Sequence, residues 1–225
     1  MSALPAPASP IAVVGWGRSG QGAAGALASR GFDVRAFDAK DGGTLHFDEA
    51  AGVPLSVEAD AGELADLVVG MRPAVVVVSP GVPPRSPVFA RARAAGIEVW
   101  GEVELAWRLQ QARRPDVPWI VVTGTDGKTT TVGMLAAVLS AAGLNAPAVG
   151  NIGSPTITAV LEDRADVMAV ELSSFQLHTT GTLSPLAAAC LNLAPDHLDW
   201  HGGLEAYAAD KARVYARTRR AAVYN

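Results

Sequence analysis

Short apolar runs alternate along the chain with segments whose apolar positions recur at helical spacing, the pattern of strands and helices in turn. Ile11 to Val14 is a strand pattern that runs into Gly15-Trp-Gly17-Arg-Ser-Gly20, and the small residues Gln21 to Ser29 predict a helix with Gly31 as its C-cap. Phe32 to Phe37 is a second strand, ending in Asp38. Ala74 to Val78 is a buried strand run that ends in Ser79-Pro-Gly81-Val-Pro83. A basic helix, Pro87 to Ala95, leads into a strand at Ile97 to Trp100, and Glu102 to Gln111 reads as a helix with Val103, Ala106 and Trp107 on one face. Such alternation predicts parallel sheets covered on both sides.

Arg113 to Pro118 is polar and broken by proline, so the domain boundary is placed there. The alternation then restarts. Pro118 to Val122 is an apolar strand run, and Val132, Leu135, Ala136 and Leu139 mark a helix closed by Gly143. Ala165 to Leu172 and Leu186 to Leu193 are further strands, and Leu204 to Arg217 is a helix. Ala221 to Asn225 reads as the start or middle of another strand, which suggests a fragment. The expected domains are a loose tail at 1–10, an α/β domain at 11–112, a linker at 113–118 and an incomplete α/β domain at 119–225. No internal repeat is present beyond the alternation itself.

Between the strand at Pro118 and the helix at Val132 lies Gly124-Thr125-Asp126-Gly127-Lys128-Thr129-Thr130. Strand, glycine loop, lysine, threonine and helix is how a nucleotide triphosphate is held: loop N–H groups and the positive helix end face the phosphates. Lys128 offers a point charge and the Thr129 hydroxyl a Mg²⁺ ligand. The spacing G-x-x-G-K-T is two residues shorter than the standard phosphate loop. The first loop, G-x-G-x-x-G with Asp38 on the next strand, matches a dinucleotide fingerprint, but its physics suits any diphosphate at a helix N-terminus. A dehydrogenase and another diphosphate-binding module are both compatible with it.

Hydrophobic residues make up 49% and charged residues 18%, as in an ordinary globular protein. The 18 basic residues are outnumbered by 22 acidic ones, without a long basic run, which argues against nucleic acid as partner. The single cysteine, Cys190, fits a reducing cytosol. The tail reads as neither signal peptide nor anchor, and no apolar run reaches membrane-span length, so a cytoplasmic protein without membrane insertion is expected.

Three further positions carry chemistry. Glu171 ends a buried strand, where an α/β protein places an acid beside Mg²⁺ or a plain solvated glutamate. Pro195 to His201 gathers two histidines and two aspartates, a cation site or an Asx-rich turn. Lys211 falls on the apolar face of its helix with Leu204, Tyr207, Ala208, Val214 and Tyr215. Burial depresses a lysine's pKa, and a neutral amine adds CO₂ to form a carbamate; the alternative is an ammonium that snorkels to water.

Taken in order, Gly124 to Thr130, Gly150-Asn151-Ile-Gly153, Glu171-Leu-Ser173-Ser-Phe-Gln-Leu177, and Asp196-His197-Leu-Asp199 followed by Lys211 to Tyr215 resemble the Mur ligases. Ser79 to Pro83 and Gly101 to Leu105 add to the resemblance, which spans nearly the whole chain. The run Glu171 to Gln176 is similar to the branch of the family that adds D-glutamate. The resemblance implies a Rossmann-like N-terminal domain followed by an incomplete P-loop-type central domain, with the family's C-terminal domain absent. It implies ATP-dependent ligation of D-glutamate to UDP-N-acetylmuramoyl-L-alanine in cytoplasmic peptidoglycan synthesis, by a monomer. The fragment alone is then expected to be an inactive binding module, and a sister ligase adding another amino acid is the nearest alternative.

By the same resemblance, Gly17, Arg18, Ser19, Asp38, Lys40, Ser79 and Gly81 hold the uridine nucleotide. Gly124 to Thr130 hold ATP. Lys128, His197 and Lys211 are the catalytic set. Thr129, Glu171, His197 and a carbamylated Lys211 ligate two Mg²⁺ ions, while Asn151 and Ser173 hold the substrate near its reacting carboxylate. One departure concerns affinity. Asp126 stands where the family usually has asparagine, and an anion there repels the γ-phosphate unless it turns toward the helix N-terminus.

Overall fold

The computed structural model describes residues 4–6, 9–39 and 52–225. Lys40 and residues 1–3, 7 and 8 of the tail read at 1–10 lie outside the described residues. The chain divides into two compact units between Leu105 and Ala106, a point inside the helix Glu102–Arg113.

The first unit holds a five-stranded, all-parallel sheet in the order β3-β2-β1-β4-β5. Its strands are β1 (Pro10–Val14), β2 (Asp33–Asp38), β3 (Leu55–Val57), β4 (Val75–Val78) and β5 (Glu98–Gly101). Between them run α1 (Arg18–Ala28), α2 (Ala61–Gly70) and α3 (Pro87–Ala94), with α4 (Glu102–Arg113) following β5. Side chains alternate across a strand. Ala12, Val14, Val76 and Val78 therefore share one face with Leu64, Ala65, Val68, Val88 and Ala92 of α2 and α3. Ile11, Val13, Val75 and Val77 point the other way and are equally buried. Continuous apolar runs of this kind are the signature of a strand covered on both faces. The helix predicted from Gln21 begins three residues earlier, at Arg18, because Gly17 supplies the extended N-cap.

The second unit repeats the logic with the order β10-β9-β6-β8-β7, again all parallel. Its strands are β6 (Trp119–Thr123), β7 (Ala148–Gly150), β8 (Met168–Glu171), β9 (Ala187–Cys190) and β10 (Ala221–Tyr224). The helices are α5 (Lys128–Ala141), α6 (Thr156–Glu162), α7 (Ser174–His178), α8 (Leu198–His201) and α9 (Leu204–Ala212). The helix predicted to reach Arg217 tightens at Arg213–Tyr215 into a 3-10 turn. Tyr215 there accepts the Cys190 N–H and donates to the Val223 carbonyl, joining β9 to β10. Strand β10 lies at the exposed edge, with Tyr224 82% accessible. Val132, Val122 and Ala169 form the centre of the core under α5, with Leu135 and Ala136 partly buried against them.

Candidate active site

Both units end their central strand in a glycine loop, at the carboxyl edge where open α/β sheets bind ligands. In the first unit the loop runs from Gly15 to Gly20. Gly20 must lack a side chain: a Cβ there would lie 1.9 Å from the Gly15 carbonyl oxygen. The loop is held from outside by two polar groups. Asp38 accepts the Trp16 N–H at 2.6 Å, and the Ser79 hydroxyl donates to the Gly15 carbonyl at 2.6 Å. Of the residues read as nucleotide contacts, Asp38 and Ser79 thus act on the loop itself. Gly17 caps α1, Arg18 and Ser19 open that helix, and Gly81 lies in the turn after β4.

In the second unit, β6 delivers Gly124 to Gly127 to the N-terminus of α5, with Gly127 in the left-handed conformation as N-cap. Lys128 bends back to donate to the carbonyls of Gly124 at 3.0 Å and Thr125 at 2.6 Å. Lys211 donates to the same Gly124 carbonyl at 2.7 Å. Two ammonium groups therefore converge on one backbone oxygen. Lys211 is 3% exposed, with its ammonium 4.6 Å from the centre of the Tyr207 ring. Burial, and then the charge of Lys128, lower its pKa from 10.5 to about 8. The snorkelling alternative fails, because a loop carbonyl satisfies the ammonium inside the fold. Leu204, read as part of the same apolar face, is 44% exposed at the start of the helix.

Glu171, 1% exposed, is the acid of the site. It accepts from the Thr129 hydroxyl at 2.9 Å and from the Asn151 side-chain amide at 2.8 Å. Gly150 makes that approach possible: its φ is +107°, and a Cβ would lie 2.3 Å from the Glu171 carbonyl oxygen. Glutamate, hydroxyl and amide are thereby assembled from α5, β8 and the turn after β7. A buried carboxylate with a threonine hydroxyl beside it suits a Mg²⁺ ion that retains water and shares nucleotide phosphates, while the Asn151 amide N–H holds the other carboxylate oxygen. Among the described residues, no group of three or more His, Cys, Asp or Glu is placed to hold a metal by itself.

Not every sequence candidate joins this centre. His197, in the left-handed conformation before α8, contacts Asp196 at 3.3 Å and lies tilted against Phe175, with ring centres 4.8 Å apart. Ser173 commits its hydroxyl to a capping box with Gln176 at the start of α7. The exposed Asp126 side chain does not cap α5, which has no side-chain cap. Thr130 is exposed in the first turn of α5.

One residue escapes a reading of spacing, and the partners of His201, read from the sequence only as part of the cluster at 195–201, do so as well. Asn192, two residues beyond β9, bonds the loop backbone; a lone asparagine after a strand reads only as a turn residue. His201 is buried between Ser174 at 2.9 Å and Asp210 at 2.8 Å, and Asp210 also meets His178 at 3.0 Å and Arg213 at 3.1 Å. This chain of contacts ties α7, α8 and α9 together beside Lys211. Burial lowers the His201 pKa below its ordinary value, against the opposing pull of Asp210. Burial alone would raise Asp210, but hydrogen bonds from His178 and His201 with the charge of Arg213 bring it below the ordinary carboxylate value.

Comparison with known proteins places this geometry. The Mur ligase middle domain model matches residues 122–225, and the Mur ligase MurD-like N-terminal domain model matches residues 9–101. The UDP-N-acetylmuramoylalanine--D-glutamate ligase of Frankia casuarinae is 51% identical over 218 residues, covering 96% of this chain and 45% of that protein. The Streptomyces coelicolor protein of the same name is 49% identical over 218 residues, with 96% and 46% covered. The chain thus spans about half the length of the curated relatives it matches. The fold is shared with the crystal structure of UDP-N-acetylmuramate:L-alanyl-gamma-D-glutamyl-meso-diaminopimelate ligase from Neisseria meningitides, at 22% identity and TM-score 0.58 over 96% of this chain and 71% of that one. It is shared likewise with UDP-N-acetylmuramate-alanine ligase MurC from Thermotoga maritima, at 23% identity and TM-score 0.53 over 96% and 49%.

Proposed function

The chain belongs to the Mur ligase family, and from that premise we propose that it is the N-terminal and middle part of an ATP-dependent ligase joining D-glutamate to UDP-N-acetylmuramoyl-L-alanine. The observation that carries the reading is the Thr129–Glu171–Asn151 set beside Lys128 at the mouth of the phosphate loop. The relatives near 50% identity, all named for D-glutamate addition, support the choice of amino acid.

In this reading the first loop takes the uridine diphosphate of the substrate. Gly17, Arg18, Ser19 and Gly81 border the nucleotide, the family resemblance adds Lys40 to them, and Asp38 and Ser79 keep the loop in shape for it. ATP lies on the second loop, where the N–H groups opening α5 face its phosphates. The alanyl carboxylate attacks the γ-phosphate to give an acyl phosphate and ADP. The amine of D-glutamate then attacks the acyl carbon and expels phosphate. Lys128 and the N-terminus of α5 offset the charge that grows on the transferred phosphoryl group. Asn151 orients Glu171, and Asn151 and Ser173 border the reacting carboxylate. Mg²⁺, when bound beside Thr129 and Glu171, supplies further charge neutralisation.

The finer part of the reading adds a second Mg²⁺ beside His197 and a carbamate on Lys211. A lysine held near 8 offers more neutral amine to CO₂ than an ordinary lysine does. The ligase acts in the cytoplasm as a monomer, in the peptidoglycan synthesis that underlies cell shape and division. No helix among the described residues is long and apolar enough to cross a membrane.

The test is calorimetric titration of the chain with UDP-N-acetylmuramoyl-L-alanine and with MgATP, with NADH as control. Saturable binding of the first two and none of NADH is expected. Binding of NADH alone would reject the reading. Phosphate release with D-glutamate then assays whether ligation needs polypeptide beyond these residues.

A further inference from the structure

The loop N–H groups that could meet phosphate are not all available. Asn192 Oδ1 lies 2.9 Å from both the Thr125 and the Asp126 amide nitrogens and accepts from each. Its Nδ2 donates to the Asp126 carbonyl at 3.1 Å. One side chain thus meets two donors and an acceptor on adjacent peptides, the oxygen and nitrogen of the amide serving one role each. The neighbouring backbone strengthens the grip: the Asn192 carbonyl lies 3.2 Å from the Thr125 nitrogen, and Leu191 N–H donates to Thr123 at 3.0 Å. Thr125 Oγ1 is itself held by the Ala194 N–H at 3.0 Å and the Tyr207 hydroxyl at 2.9 Å. By contrast, the first-turn N–H groups of α5, from Lys128 to Thr130, have no intrahelical acceptor.

We propose that Asn192 is a positioning residue of the phosphate loop, holding the Thr125–Asp126 turn shut so that phosphate is confined to the donors at the start of α5. Its amide oxygen occupies the donors that a phosphate oxygen would otherwise engage, so the loop keeps its bound shape without nucleotide. Pre-organisation of this kind raises affinity by removing the ordering cost from the binding step. The proposal rests on the nucleotide reading above, but the clamp itself is a property of the ligand-free chain.

The experiment joins residue-resolved amide exchange with titration of MgATP, MgADP and AMP into the 225-residue chain. In the ligand-free protein, Thr125 and Asp126 are expected to exchange at least about tenfold more slowly than Lys128 to Thr130. Asn192→Ala removes that protection and weakens MgATP about tenfold, the scale of two or three lost hydrogen bonds. Asn192→Asp keeps the acceptor and restores the protection. It also adds a negative charge, so its affinity loss grows from AMP to ADP to ATP, which a merely structural role would not produce. Equal exchange at the two sets of amides in the native chain would overturn the proposal, as would protection unchanged in Asn192→Ala. If no nucleotide binds, the functional reading fails while amide exchange still decides the clamp. If Asn192→Ala does not fold, amide exchange in the native chain and in Asn192→Asp decides the proposal instead.

Discussion

The two glycine loops of this chain share their backbone logic and differ in what holds them. In the first, the fasteners are an anion and a hydroxyl: Asp38 takes the Trp16 N–H, and Ser79 gives its proton to the Gly15 carbonyl. In the second, two ammonium groups meet at the Gly124 carbonyl, and an amide takes the next two N–H groups. A glycine loop at a helix N-terminus is a generic anion cradle. The groups that fasten it set its local field. A carboxylate at the root of the first loop adds negative charge near the anion it is proposed to receive, whereas two lysines at the root of the second add positive charge. The second is the more favourable setting for a triphosphate.

That contrast breaks most severely where a loop cannot close at all. Gly20→Ala places a methyl group against the Gly15 carbonyl, with a cost of about 3 kcal/mol or more. A thermal melt is expected to show early loss of the first unit, and calorimetry loss of the uridine-nucleotide ligand. MgATP affinity at the second loop stays within about twofold. Collapse of both activities would mean that the loops do not act separately.

Next in size is Glu171→Gln, which removes the buried carboxylate beside the second loop while leaving the charge of Lys128. The Mg²⁺-dependent part of ATP binding is expected to disappear, with affinity falling about tenfold or more. Titration of ATP with and without Mg²⁺ measures it, and an undiminished Mg²⁺ effect would contradict the ligand assignment.

The lysine pair makes a pH prediction that the first loop does not share. Between pH 8 and 10.5, Lys211 is protonated in the unfolded chain and neutral in the folded one. Unfolding therefore takes up a proton, and stability rises with pH across that window by up to about 1.4 kcal/mol per unit. Lys211→Met is expected to flatten this slope in denaturant titrations run at several pH values. A slope that survives in Lys211→Met assigns it to another group.

The smallest expected effect concerns the anion already present on the second loop. Asp126 is exposed beside the phosphate donors and does not cap α5. Asp126→Asn is expected to tighten MgATP about threefold, as removal of one partly screened repulsion would. Weaker binding in that variant would show that the carboxylate serves the site.

Much of this was legible in order along the chain. Val75 to Val78 reads as a strand buried on both faces, and it is one. The glycine loops, the acid ending β8 and the strand at Ala221 are where local pattern places them, because period and turn chemistry are written in neighbouring residues. The apolar face of α9, by contrast, left open whether the Lys211 ammonium stays inside or reaches water. The three-residue strands β3 and β7 left no readable period, and the short helices α6 and α7 had too few turns to show one. Which strands lie side by side, and which groups meet there, only tertiary structure decides. Lys211 reaches a carbonyl 87 residues away, and Asn192 reaches amides more than 60 residues before it. Local preference identifies each residue's own conformation, but its partner is fixed by the packing of whole strands and helices. That packing turns an asparagine with no local signature into the fastening of a phosphate loop.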